Sequence, residues 1–89
     1  MEIEVYDTYA TSEKGIKIHF DVMLPIGGNE WIASSWAQDF INKIAELTNS
    51  NKLDSCKFCH TEEAKTNVYE KVEKDGYCIV PINNCPNLY

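Results

Sequence analysis

The chain has no arginine. Its eight basic residues are all lysines, set against fourteen acidic ones for a net charge of −6. Bidentate recognition of phosphate and of guanine edges rests mainly on the guanidinium group, and an acidic surface repels phosphate backbones and anionic lipids. Nucleic acid and membranes are therefore not expected as partners. Long apolar runs are missing too; none approaches the roughly 20 residues of a spanning helix. Glycine (4) and proline (3) are sparse, and there are no repeats, linkers or low-complexity tracts. The opening Met1-Glu2-Ile3-Glu4-Val5 has neither the positive charge nor the apolar stretch of an export signal. A cytoplasmic protein is expected, with its thiols reduced or metal-bound; in an exported chain the four cysteines would allow three disulfide pairings.

What remains is a chain of 89 residues, 44% hydrophobic and 11% aromatic, which is enough for one globular domain. Glu2 to Ala10 alternates as a strand does. Ile3, Val5 and Tyr9 share one side, with Asp7 interrupting them, and Glu2, Glu4, Tyr6 and Thr8 share the other. After a polar turn ending in Gly15, Ile16 to Leu24 alternates more cleanly: Ile16, Ile18, Phe20, Val22 and Leu24 against Lys17, His19, Asp21 and Met23. The two predict an antiparallel hairpin with one apolar face on the core. Asn29 is a candidate N-cap for a helix from Glu30 to about Leu47, whose apolar stripe includes Ile32, Trp36, Phe40 and Ile44. Trp31 and Trp36 are expected in the core and at its rim.

A brief strand is expected over Lys52–Phe58. A second helix carrying Val68 and Val72 should end at Asp75-Gly76, and a last strand is expected over Tyr77–Ile82. The order β-β-α-β-α-β describes an α+β domain, a single small sheet with two helices packed mainly on one face.

Chemistry concentrates in Cys56-Lys57-Phe58-Cys59-His60. Three uses compete for this C-x-x-C-H run. Covalent haem attachment fits the spelling, with His19 or Met23 as a sixth ligand, but it belongs outside the cytoplasm and suits neither this strand-rich context nor the missing export signal, so haem is not expected. A dithiol redox pair of Cys56 and Cys59 needs a helix start close behind it, and Glu62 and Glu63 oppose thiolate formation. Zinc is the favoured use: a tight turn would point both sulfurs at one ion, with Cys85, His60 or His19 completing a site more structural than catalytic. Against all three stands a metal-free reading, in which the cysteines are small core hydrophobes. Cys78, between Tyr77 and Ile79, reads as core. No nucleophile with base and orienting group, no phosphate loop and no paired acids at a defined spacing argue for an enzyme.

Val5-Tyr6-Asp7-Thr8-Tyr9, His19-Phe20-Asp21, Cys56-Lys57-Phe58-Cys59-His60, Gly76-Tyr77 and Cys85 together resemble the DUF2024 family over nearly the whole chain. The resemblance implies a compact bacterial α+β domain and no particular activity. The positions it marks are Tyr6, Asp7, Thr8, Tyr9, His19, Phe20, Asp21, Cys56, Phe58, Cys59, His60 and Cys85. Asp7, His19 and Asp21 are polar residues on an otherwise apolar hairpin, and such placement needs a reason. One reason is that His19 approaches the Cys56–His60 run, with Asp7 or Asp21 orienting its ring. The other is a hydrogen-bond network that fixes the hairpin. The sequence thus points to a zinc-binding or interaction module, or to a metal-free scaffold with these residues in its core. A homo-oligomer or a protein partner fits a domain this small.

Overall fold

The computed structural model describes residues 1–12, 15–44 and 52–83. At its centre the two alternating segments pair antiparallel, β1 (Glu2–Thr11) with β2 (Lys17–Pro25), Ile3 opposite Pro25 and Thr11 opposite Lys17. Between them Gly15 takes φ +81°, where only a residue without Cβ is unstrained, and the Ser12 hydroxyl accepts the Ile16 N–H at 3.0 Å. β3 (Lys52–Glu63) lies outside β1 and β4 (Cys78–Asn83) outside β2, so the sheet order is β3-β1-β2-β4 with every pair antiparallel.

α1 (Glu30–Ile44) begins as its sequence suggests, with Asn29 Oδ1 accepting the Ile32 N–H at 2.9 Å. The turn before it is held by Glu4, whose carboxylate accepts from the Tyr6 hydroxyl (2.9 Å) and the Gly27 N–H (3.3 Å). α2 (Thr66–Asp75) ends at Gly76, at φ +85°, whose N–H bonds the Val72 carbonyl.

The element order and the single sheet are those expected; the helices, however, divide between its two faces. Register is the reason. Thr8 stands opposite Phe20 and Tyr6 opposite Val22, so the apolar residues of β2 share a face with Tyr6, Thr8 and Ala10, and not with Ile3 and Val5. That face is covered by α1 through Ala33, Ala37, Phe40 and Ile41, with Phe20 and Phe40 edge-to-face at 4.7 Å. Trp36 closes the rim by stacking on Tyr77 at 3.9 Å, whereas Trp31, expected in the core or at its rim, is 81% exposed. On the opposite face Ile3, Val5, Met23 and Cys78 pack under Val72 and Val68 of α2. The hairpin therefore serves two cores, one on each side.

The third strand differs most from expectation. It does not stop at Phe58 but continues to Glu63, because β1 offers a partner along its whole length: Glu2 faces Glu63 and Thr11 faces Lys52. Two bulges interrupt this pairing, with Cys59 and Asp54 as the unpaired extra residues of β3.

Candidate functional site

The odd-numbered face of the hairpin changes character along its length. Under α2 it is apolar; beyond the helix it carries Asp7 and Tyr9 from β1, His19 and Asp21 from β2. Pairing sets Asp7 directly opposite Asp21 and Tyr9 directly opposite His19. The His19 Nε2 lies 2.5 Å from Asp7 Oδ1, and its ring stacks on Tyr9 with centroids 4.2 Å apart and planes within 9° of parallel. Partial burial, followed by the charge of the nearby Asp7 carboxylate, raises the pKa of the Tyr9 hydroxyl. One ligand atom each from Asp7, His19 and Asp21 lies within 4.8 Å of the other two, and all three residues are half-buried. Among the described residues this is the one group of three such ligands.

The electrostatics of the group are unbalanced. Burial raises the pKa of Asp21, Asp7 raises it further, and Glu62 adds to both, while His19 and His60 pull the other way. Two carboxylates directly opposed across a pair of strands are destabilising. Beside them Asp21 and Glu62 reach the rim of a 240 Å³ cavity floored by Met23, Val68 and Val80.

The cysteine–histidine run is placed differently from the tight turn that zinc ligation would use. It is drawn out along β3, where residues three apart do not share a face. Cys56, opposite Thr8, is buried under α1. It accepts a hydrogen bond from the Thr8 hydroxyl (3.4 Å), and burial pushes its thiol pKa up. Cys59 is exposed at the bulge. His60 stands opposite Val5, on the face of Asp7 and Asp21, with its Nε2 2.9 Å from Glu62. Cys78 is buried under α2, as expected of a core residue. Cys85 lies outside the described residues.

Of the candidate ligands, then, the structure brings His19 together with Asp7 and Asp21, residues assigned from the sequence only to orient a ring. Part of the signal was present, since all three are polar residues on an otherwise apolar hairpin; the register, in which paired residue numbers sum to 28, then puts their odd-numbered positions on one face.

Residues 1–82 match the family described as "Domain of unknown function (DUF2024)". The chain belongs to the DUF2024 family. Protein NE1680 from Nitrosomonas europaea, known from an NMR structure, is similar to it, with 32% sequence identity and a TM-score of 0.78. That match covers 97% of this chain and 100% of the Nitrosomonas chain. No curated protein matches this DUF2024 chain. None of its described helices is long and apolar enough to cross a membrane.

Proposed function

We propose that this DUF2024 protein is a metal-binding module whose ligands are Asp7, His19 and Asp21 on the open face of the hairpin. The observation that carries the reading is the approach of their three ligand atoms to within 4.8 Å of one another. The like-charged pair supports it, because a cation between Asp7 and Asp21 turns a repulsion into two bonds. The donor set is one imidazole and two carboxylates, which suits zinc or another divalent first-row ion. Neighbouring ligands on such an ion stand about 3.0–3.4 Å apart. Binding therefore opens the Asp7–His19 contact slightly and draws Asp21 in. Tyr9, stacked on the His19 ring, holds that ligand in place.

Native mass spectrometry and calorimetric titration with Zn²⁺ and Mn²⁺ test this. One ion per chain is expected, with affinity lowered at least about tenfold by His19→Ala or Asp21→Asn, as loss of a metal-site residue does, and unchanged by Cys56→Ser. A site lost with Cys56→Ser and kept in His19→Ala would return the metal to the cysteine run. No binding to either ion would leave the hairpin face as a hydrogen-bond network in a metal-free scaffold.

A further inference from the structure

The cavity beside the three candidate ligands shares Asp21 with them. Pairing puts its sheet wall on their face: Val80 of β4 stands opposite Asp21, and Glu62 of β3 opposite Ile3, which packs under α2. Val68 of α2 and Ala64, from the segment joining β3 to α2, complete its apolar part. Ala64, Val68 and Val80 are half-buried, which leaves their methyls within reach of a ligand. At about 240 Å³ the cavity is smaller than a drug-sized site, roughly 300–1,000 Å³, and suits a short chain.

Three charged side chains line it, Asp21, Glu62 and Lys65. Asp21 is committed to the metal, and Glu62 is engaged by His60 at 2.9 Å. Lys65 is exposed, with no carboxylate partner among the described residues. The charge left without a partner is therefore positive, on a flexible stem that can follow a ligand. An ion held by one imidazole and two carboxylates keeps a further position for an outside ligand. Both features call for an anion at the same edge of the sheet.

We propose that this cavity, with Zn²⁺ on the three ligands, binds a small aliphatic carboxylate. One oxygen displaces water from the ion, the Lys65 ammonium pairs with the other oxygen, and the alkyl group lies on Ala64, Val68 and Val80. This rests on the metal site at Asp7, His19 and Asp21. Without the ion, Asp21 and Glu62 repel the anion, so the metal binds first.

The test is a methyl-detected NMR titration of the full chain with 3-methylbutanoate and its neutral counterpart 3-methylbutan-1-ol, at saturating Zn²⁺ and again in chelator. With Zn²⁺ the acid is expected to shift the methyl signals of Ala64, Val68 and Val80 saturably. It should bind at least about tenfold tighter than the alcohol, and at least about tenfold tighter than it does in chelator. Lys65→Gln at saturating Zn²⁺ should weaken the acid about two- to fivefold and leave the alcohol unchanged, as loss of one exposed ion pair does. Zn²⁺ uptake with no saturable shift at these methyls, with equal binding of acid and alcohol, or with acid binding that neither chelator nor Lys65→Gln weakens, would overturn the proposal and leave the metal reading standing. No uptake of Zn²⁺ would overturn the proposal, and no uptake of Mn²⁺ either would take the metal reading with it.

Discussion

Replacing Asp21 by Asn should stabilise the metal-free protein and weaken its response to metal. Asp21 and Asp7 face each other across β1 and β2. A like-charged pair in that position costs roughly 0.2–1 kcal/mol, and partial burial puts this one toward the upper half of that range. For a domain of this size each kcal/mol moves the midpoint by about 4–8 °C, so the variant should melt about 2–8 °C higher in chelator at neutral pH. The pH dependence follows from the raised pKa of Asp21, caused first by burial and then by Asp7. A carboxyl whose pKa is raised on folding contributes stability below its unfolded value, and that contribution is lost as pH rises through the folded value. Asn does not titrate, so the gain over wild type should be full at neutral pH and vanish below 3.8, the ordinary value for aspartate. Metal reverses the ranking: at a hundredfold excess over the wild-type Kd a bound ion adds about 2.7 kcal/mol to the wild type, and only about 1.4 kcal/mol to a variant that binds about tenfold more weakly. Thermal melts followed by circular dichroism, with chelator and with Zn²⁺, measure both arms. A variant less stable than wild type in chelator at neutral pH would refute the electrostatic argument, because it would mean that favourable hydrogen bonds outweigh the repulsion at Asp21.

Three further outcomes are expected. Iodoacetamide should modify exposed Cys59 in the native protein well before Cys56 and Cys78, whose thiols are buried and have raised pKa values; peptide mapping after a short exposure reads the order, and equal rates would contradict the burial. Gly76→Ala should cost about 1 kcal/mol in urea unfolding through its positive φ alone, since a methyl there meets nothing within 4 Å. Gly28→Ala, whose new methyl would stand 2.7 Å from Leu24 Cδ1, should lose stability by crowding instead.

Much of the fold is legible where one local rule suffices. The alternation of β2, the Asn29 cap and the Gly76 stop each rest on a few neighbouring residues, and each is found where the sequence puts it. What the sequence hides depends on register. Ile3 and Val5 look as though they join Phe20 and Val22 in a single core, and only the pairing of Thr8 with Phe20 assigns them to opposite faces. Likewise C-x-x-C-H is spelled like a metal-binding turn, but it contains no glycine or proline to bend it, and the open edge of β1 holds it extended. The polar trio on the hairpin stood out as misplaced. That its members converge, with two aspartates face to face, becomes visible only with the pairing of β1 and β2.

The outer strands also bear on how this small acidic domain resists pairing edge to edge with further copies. A sheet with bare margins is a template for uncontrolled polymerisation. Here β4 carries Pro81, which has no N–H to offer a newcomer, and a bulge beside it. β3 is longer and more hazardous, but its two bulges break the flat repeat that a growing fibre requires. Between them Glu30, reaching from the first turn of α1, accepts the Phe58 N–H at 3.1 Å. One carboxylate thereby silences a backbone donor beside an exposed aromatic ring. Its removal should first become apparent as turbidity on concentration, before any change in the folded state.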